Sequence, residues 1–294
     1  MISAAKTKLF LTLTAAVFLW LIIGATAVQA EVDPFFKPLL ERLVVSGFER
    51  SWLESLFLQP CVKLEPKALV LRATVREAKI NYGQFLEPDN LNLARSFLSS
   101  QAVILNQARE KHKVPAEIIV AILLLETKVG TQTGKLLALN TLASQTMALH
   151  PEVAAEVLKA MPEEERRRFT KESLVAWLGQ SNSWFFGELK ALLVYFKENG
   201  QDPCRVYGSY TGAIGLCQFQ PSNLKAYGQD GNQDGRVDLF QAEDAVMSAA
   251  YYLNRSGWRD GLNEDRRIAV VKRYNNSLPY ARTVLEVARR LKTP

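Results

Sequence analysis

The feature that most constrains the fold of this chain is an unbroken run of eight apolar residues, IIVAILLL, at positions 118–125. Pro115 suits a first helical turn and Gly130 suits a helix terminus, so the sequence predicts a helix over 115–129. A helix that is apolar on every face must be enclosed by other elements. Apolar residues at helical spacing predict further helices over 35–45, 51–58, 91–111, 242–254 and 280–291. The alternation typical of strands is scarce. We therefore predict a mainly α protein.

Glu126 directly follows the apolar run. Its carboxyl is expected where the buried helix meets a surface or a cleft. Partial desolvation there would raise its pKa, as a glutamic acid that donates a proton near neutral pH requires. The alternative is an ordinary solvated or salt-bridged glutamate in a last helical turn, with Lys128 nearby.

The first thirty residues resemble an export signal. Lys6 and Lys8 precede an apolar stretch over 9–23, and small residues at 28–30 suit a cleavage site. The alternative is an uncleaved membrane anchor, because the uncharged stretch over 9–28 approaches the roughly 20 residues that span a bilayer. Either reading places the folded part outside the cytoplasm, in the periplasm or cell envelope.

The charge and histidine content narrow the classes of partner and site. With only His112 and His150, a histidine-rich zinc site or a Ser-His-Asp triad is not expected. The net charge of +6 suits an anionic polymer or surface. The run Glu163-Glu164-Glu165-Arg166-Arg167-Arg168 places opposite charges at helical spacing, which predicts a solvated helix face rather than a nucleic-acid site.

Three cysteines, Cys61, Cys204 and Cys217, allow one disulfide and one free thiol in an oxidising compartment. We favour Cys61 with Cys204, because Cys217 lies in a tightly apolar motif. Three reduced, buried cysteines are the alternative.

Residues 230–241 follow the pattern of an EF-hand calcium loop. The predicted Ca²⁺ ligands are Asp230, Asn232, Asp234, the carbonyl of Arg236, and Gln241. Gln241 stands where the pattern has a bidentate glutamate, so we expect a structural site of weak affinity, about 10⁻⁴–10⁻³ M. The alternative is a turn that binds nothing. No organic cofactor is predicted.

Three segments, with this loop between the second and third, closely resemble the membrane-bound lytic murein transglycosylase B family, glycoside hydrolase family 103. They are PAEIIV at 115–120 running into ETKVG at 126–130, GSYTGAIGLCQFQPS at 208–222, and RYNNS at 273–277. FLEPDN at 85–90 is also similar to that family, so the resemblance runs from about Phe35 to the C-terminus.

The resemblance implies a helical N-terminal region over 31–105 and, over 106–294, an α+β lysozyme-like catalytic core with minor β structure and the EF-hand-like loop. It implies an enzyme that cleaves the β-1,4 bond between N-acetylmuramic acid and N-acetylglucosamine in peptidoglycan strands and leaves 1,6-anhydro ends. We expect the chain to be a monomer. Glu126 matches the single catalytic acid. Residues that would contact the glycan are Ser209, Tyr210, Gln218, Tyr252, Tyr274, Asn275 and Tyr280, of which Tyr252 and Tyr280 could equally be half-buried core tyrosines.

Two departures and two rival functions accompany this resemblance. The segment between Thr146 and Asn182 is longer than the family pattern, and Cys217 replaces the usual Gly or Pro before the motif glutamine. One rival is a hydrolytic muramidase in which Asp244 or Glu188 activates water. The other is a non-catalytic wall-binding protein stabilised by calcium.

Overall fold

The computed structural model describes residues 31–77 and 80–292, and over these the protein is mainly helical. The predicted leader over 1–30 lies outside the described residues. The helices of the first half are α1 (Lys37–Val45), α2 (Arg50–Phe57), α3 (Pro66–Thr74), α4 (Pro88–Ser100), α5 (Ala102–His112), α6 (Ala116–Thr127) and α7 (Ala138–Thr146). Those of the second half are α8 (Pro151–Ala160), α9 (Glu163–Arg166), α10 (Lys171–Gly179), α11 (Asn182–Asn199), α12 (Pro221–Tyr227), α13 (Ala242–Arg255), α14 (Glu264–Tyr274) and α15 (Leu278–Lys292). No helix in the described ranges is long and apolar enough to cross a membrane.

Helix α6 is the predicted buried helix and forms the centre of the fold. Its residues 118–124 are all buried, and α4, α5, α13 and α15 pack around it. It is shorter than predicted, because Pro115 is its N-cap and Lys128 and Val129 both adopt left-handed backbone conformations. The Val129 N–H still donates to the Leu123 carbonyl, so the chain turns sharply just after Glu126.

The predicted helix over 91–111 is two helices. Helix α4 ends at Ser100, and Gln101 has backbone angles outside the helical region before α5 begins. Apolar spacing continues on both sides of Gln101, which is why periodicity alone did not predict the break.

A two-stranded antiparallel sheet supplies the minor β structure. Strand β1 (Leu136–Leu137) pairs with β2 (Tyr207–Gly208), and Leu136 lies opposite Gly208. Gly134 approaches Gly208 so closely that a Cβ on Gly134 would lie 2.1 Å from the Gly208 carbonyl oxygen. This contact fixes where the following loop, residues 209–219, begins.

The N-terminal helices and the later helices are covalently joined. The Cys61–Cys204 disulfide closes a separation of 143 residues, and Cys217 is a buried free thiol. The favoured pairing is therefore confirmed. Buried apolar side chains from both sides of residue 105 belong to one hydrophobic cluster, and the division at that residue stays a prediction.

The long segment between Thr146 and Asn182 folds into α8, α9 and α10. Helix α8 packs on α3 and on α10, and the short helix α9 carries the Glu-Arg run on an exposed face. Arg167 pairs with Glu163 and Arg168 with Glu165, as the charge pattern predicted.

Candidate active site

The Glu126 carboxyl lies in the last turn of α6, partly exposed to a cavity. The Tyr280 hydroxyl, from α15, donates a hydrogen bond of 2.7 Å to its Oε1 atom. Burial raises the pKa of Glu126 from 4.5 to about 7, and the bond from Tyr280 acts in the opposite direction. Within the described ranges Glu126 has no salt bridge to Lys128 or to any other cation. The structure therefore favours the desolvated glutamate over the salt-bridged alternative.

The cavity beside Glu126 has a volume of about 450 Å³. Six of the seven predicted glycan-contacting residues line it, which are Ser209, Tyr210, Gln218, Tyr252, Tyr274 and Asn275. Tyr280 is buried and contacts Glu126 without lining the cavity. Further lining residues that the sequence reasoning did not single out are Thr211, Ala213, Phe219, Gln220, Asn223 and Asn276. All but Asn223 lie within the quoted motifs, so position in a motif was the signal that could have identified them.

A chain of hydrogen bonds ties the loop over 209–219 to the end of α6. The Thr127 hydroxyl donates to the Leu216 carbonyl at 2.8 Å, and the Leu216 N–H donates to the Leu239 carbonyl at 2.8 Å. Gly215 has a φ of 73°, and a Cβ there would lie 2.3 Å from the Leu239 Cβ, so only glycine fits. Thr127 was not predicted as a site residue, although it is adjacent to Glu126.

Gln218 is held in a strained backbone conformation with a φ of 48°. Its Nε2 atom donates to the Thr133 carbonyl at 3.1 Å and to the Gly215 carbonyl at 3.0 Å. With the amide nitrogen engaged by backbone, the Oε1 atom is the group left to accept a hydrogen bond from a ligand.

Tyr252 and Tyr274 present their rings to the cavity while their hydroxyls are engaged by backbone. The Tyr252 hydroxyl donates to the Arg273 carbonyl, and that of Tyr274 donates to the Cys217 carbonyl. The two rings lie 5.1 Å apart and both pack on Phe219. Such rings can offer apolar faces to a sugar, whereas their hydroxyls are already bonded.

Ser209 is oriented by its own loop. Its Oγ atom accepts hydrogen bonds from the Thr211 N–H at 3.2 Å and the Ala213 N–H at 3.1 Å. Asn275, which ends α14, has no side-chain hydrogen bond to the described part of the chain. Its amide is therefore available to a ligand.

Tyr210 is connected to the long segment through two polar side chains. The Gln145 Nε2 atom donates to the Tyr210 carbonyl at 3.2 Å, and Arg72 donates to Gln145 Oε1 at 2.7 Å. The Arg72 guanidinium lies over the rings of Trp177 and Phe185, 4.9 and 4.7 Å from their centroids. Burial lowers the pKa of Arg72 to about 10. One wall of the cavity is thus supported by this segment.

The two carboxylates considered for a hydrolytic reaction lie elsewhere. Glu188 accepts hydrogen bonds from the Ser222 N–H and hydroxyl at 2.9 and 2.7 Å, at the start of α12. Asp244 accepts from the N–H groups of Gly231 and Asp238 at 2.7 and 2.6 Å. Among the described residues that line the cavity, Glu126 is the one carboxylic acid. The site does not show the paired carboxylates that a water-activating glycosidase uses.

The loop over 230–241 is held in shape by hydrogen bonds between its own side chains and its backbone. Asp230 accepts hydrogen bonds from the Asp234 and Gly235 N–H groups at 3.2 and 2.8 Å, and Asn232 Oδ1 accepts from the Asp234 N–H at 3.0 Å. Gly235 has the expected positive φ of 86°. Gln241 is exposed and caps α13.

The donor set of this loop suits a hard cation only weakly. It offers the carboxylates of Asp230 and Asp234 and the amides of Asn232 and Gln241, which are oxygen ligands of the kind Ca²⁺ prefers. Asp238 adds a carboxylate at the ninth loop position, where a ligand often acts through water, but the twelfth position lacks the bidentate glutamate. In the described ranges no group of three or more His, Cys, Asp or Glu residues could hold a metal ion. Calcium binding by the loop, with Arg236 and Gln241 as ligands, stays a prediction.

A family model described as the transglycosylase SLT domain matches residues 31–270. The membrane-bound lytic murein transglycosylase B of Escherichia coli K12 is 29% identical over 245 residues, which are 78% of this chain and 59% of that protein. This chain therefore spans about 59% of the length of that relative.

Solved structures share the fold at low sequence identity. Soluble lytic transglycosylase SltB1 of Pseudomonas aeruginosa matches with a TM-score of 0.71 and 21% identity, over 88% of this chain and 98% of that chain. The Escherichia coli lytic transglycosylase Slt35, in a complex with calcium, matches with a TM-score of 0.70 and 22% identity, over 91% and 97% of the two chains. SltB3 of Pseudomonas aeruginosa, in a complex with NAG-anhNAM-pentapeptide, matches with a TM-score of 0.67 and 18% identity, over 88% of this chain and 79% of that chain. These likenesses confirm the predicted fold class, a mainly α lysozyme-like fold with minor β structure.

Proposed function

Because this chain belongs to the transglycosylase SLT domain family, we propose that it is a lytic transglycosylase. It cleaves the β-1,4 bond between N-acetylmuramic acid and N-acetylglucosamine in peptidoglycan and leaves a 1,6-anhydro end. The observation that carries the proposal is Glu126, a carboxylic acid with a pKa raised to about 7 that faces the cavity without a second carboxylate.

One carboxyl group is enough for this reaction. Protonated Glu126 donates its proton to the leaving glycosidic oxygen as the C1–O bond breaks, and the muramoyl N-acetyl group supports the developing cation. The ionised carboxylate then takes the proton from the C6 hydroxyl, whose oxygen bonds to C1 and closes the anhydro ring. Water is not the nucleophile, so no second carboxylate is needed. A pKa near 7 leaves both protonation states accessible at neutral pH.

The other lining residues would bind and orient the glycan. Gln218 offers a fixed acceptor, and Asn275 offers an amide that forms no hydrogen bond with another described residue. The rings of Tyr252 and Tyr274 would stack on sugar faces, and Ser209 and Tyr210 would contact the glycan from the loop over 209–219. Tyr280 would act on Glu126 rather than on the sugar, since it is buried.

Calcium, compartment and assembly form a second group of proposals. The loop over 230–241 would bind Ca²⁺ weakly as a structural ion, which agrees with the relative Slt35 having been solved with calcium. Glycan strands of peptidoglycan would be the partner, which agrees with the muropeptide complex of the relative SltB3. The protein would then act as a monomer in the periplasm or cell envelope, reached through a cleaved or membrane-anchoring leader.

Digestion of purified sacculi tests this function directly. Released muropeptides are analysed by mass, and the transglycosylase gives anhydro products that are one water lighter than hydrolysis products. Glu126→Gln should fold and bind sacculi but lose turnover. Glu117→Gln, the same change in the first turn of the same helix, is the matched control and should retain turnover. Reducing ends alone would show a hydrolytic muramidase, and full turnover by Glu126→Gln would show that this site is not catalytic.

A further inference from the structure

A second cavity of about 450 Å³ lies at the opposite end of α6 from Glu126. The start of α6, the loop after α13, the first half of α14 and the last helix α15 line it. Ile118 and the buried Trp258 give it an apolar floor. We call it the cationic cavity, after the cations around that floor, which include Arg267, Arg282, Arg289 and Lys292.

Five cationic and three acidic residues line the cationic cavity. The negative charge of Glu286 is already balanced by Arg289, which donates hydrogen bonds of 2.8 Å to both carboxylate oxygens. Arg289 and Arg290 together lower the pKa of Glu286 to about 2, so it stays ionised. Arg267 and Arg282, by contrast, form no side-chain hydrogen bond or ion pair with another described residue. Asp260 and Glu264 also form no ion pair with another described residue. With the Arg289–Glu286 pair set aside, four cations and two acids remain, so the lining keeps a net charge of 4 − 2 = +2 beside apolar surface, which suits an anionic ligand with an apolar part.

Two helices connect this cavity with the Glu126 cavity. On α6, Ile118 lines the cationic cavity and Glu126 lines its own cavity. On α14, Arg267 lines the cationic cavity and Tyr274 lines the Glu126 cavity. At a rise of 1.5 Å per residue the two ends are separated by roughly 10–12 Å. This is a separation along the helix axes, and an extended peptide of about five residues, at about 3.4 Å per residue, is longer than it. A peptide carried by a polymer in the Glu126 cavity therefore has the length to span it.

We propose that the cationic cavity binds the carboxylates of peptidoglycan stem peptides and holds the polymer beside the reaction cleft, an inference that rests on the proposed function. The glycan rings themselves are neutral, so the negative charge available to Arg267 and Arg282 is on the peptides that N-acetylmuramic acid carries. Planar guanidinium groups bind carboxylates through paired hydrogen bonds. Apolar peptide side chains would pack on Trp258.

Binding to intact sacculi and to sacculi whose carboxylates have been converted to amides tests the proposal. In the Glu126→Gln background, which leaves the polymer uncut, the double variant Arg267→Ala/Arg282→Ala is compared with Arg255→Ala/Arg266→Ala. Both doubles remove two exposed charges, and the control pair lies on α13 and α14 outside the cavity lining. Affinity is measured by co-sedimentation with intact sacculi and with sacculi amidated by carbodiimide and ammonia, which neutralises the peptide carboxylates and keeps the cross-links.

We expect the first double to weaken binding to intact sacculi about fivefold, as for two exposed charge contacts, and the control double to leave it unchanged. On amidated sacculi both doubles should bind like the parent. Equal losses in the two doubles on intact sacculi would mean that any two surface charges have this effect, and a loss by the first double on amidated sacculi would mean that the arginines do not act through carboxylates. Either result overturns the proposal. With Glu126 restored, the first double should still release anhydro products from amidated sacculi at the parent rate. Failure of the proposed function would instead appear as no anhydro product from the unmodified protein.

Discussion

The Tyr280 hydroxyl donates a hydrogen bond of 2.7 Å to Oε1 of Glu126, and these two residues are 154 positions apart in the sequence. The bond favours the ionised carboxylate, whereas burial disfavours it and is the larger effect. A carboxyl that must first donate and then accept a proton needs both states within reach, and this pair of opposed influences sets the balance between them.

Replacement of Tyr280 by Phe should raise the pKa of Glu126 above about 7, because it removes the bond that stabilises the ionised form. Activity that requires protonated Glu126 falls as pH rises through that pKa, so the alkaline limb of the pH–rate profile should move to higher pH in the variant. The measurement is the initial rate of muropeptide release between pH 5 and pH 9. A limb that stays in place or moves to lower pH would contradict this role for Tyr280.

Glu126 should also make folding stability depend on pH. The folded state binds its proton more tightly than the unfolded state, since the pKa is raised from 4.5 to about 7. The stabilisation by protonation is complete below the unfolded pKa and is lost as pH rises through the folded pKa, so the free energy of unfolding should fall across this window, by about 1–3 kcal/mol at pH 8.

Glu126→Gln cannot ionise and should lose that part of the slope. Urea unfolding at pH 5 and pH 8 measures it, and Glu117→Gln, in the first turn of α6, should keep the slope of the unmodified protein. Identical slopes in all three proteins would mean that the carboxyl at 126 is solvated in the folded state.

The central helix and its terminal glutamate could be predicted because an all-apolar run has one physical solution, burial, and the next polar residue marks where the helix leaves the core. The pairing of Cys61 with Cys204 followed from excluding the cysteine in the apolar motif. The Tyr280 bond could not be predicted from the residues alone, since it depends on how α15 packs against α6.

Residue type was a weaker guide to how the tyrosines act. Tyr252 and Tyr274 were predicted from the family resemblance, and a tyrosine can offer a sugar both a ring face and a hydroxyl. Both hydroxyls are engaged by backbone carbonyls, so the ring faces remain for a ligand. Nothing in the local sequence indicates which carbonyl a tyrosine will reach. For the same reason the support of Tyr210 by Arg72 and Gln145 emerges only from the folded arrangement.

That support leads to a third prediction. Arg72 donates to Gln145 and to the Leu178 carbonyl, and its removal leaves the buried Gln145 oxygen without a partner. Arg72→Ala should lower the free energy of unfolding by about 1–3 kcal/mol and raise KM for glycan more than it lowers kcat, because Tyr210 lines the cavity while Glu126 is untouched.

The matched control for Arg72→Ala is Lys67→Ala, an exposed cation on the same helix α3. Urea unfolding and steady-state kinetics are measured on both variants. Arg72→Lys, which keeps the charge but not the planar fork, should recover stability only in part. A variant with lowered stability and unchanged KM would show that the arginine supports the fold without positioning the cavity wall.

Calcium at millimolar concentration should raise the unfolding midpoint of the protein. A ligand that binds only the folded state stabilises it by mass action, and a site of about 10⁻³ M affinity gives about 1 kcal/mol at about 5 mM calcium. Asp230→Asn should abolish the shift, because it removes the carboxylate at the first ligand position of a weak site while its amide can still accept the hydrogen bond from the Gly235 N–H. Thermal unfolding with calcium, with magnesium and with chelator measures the effect.

The calcium loop is also connected to the loop over 209–219 that lines the cavity. Leu239 of the calcium loop accepts a hydrogen bond from Leu216, and Leu216 accepts one from Thr127, so a bound ion would also stiffen the cavity loop. An unchanged midpoint in calcium would show instead that the hydrogen bonds of Asp244 and Asp230 hold the loop without a metal.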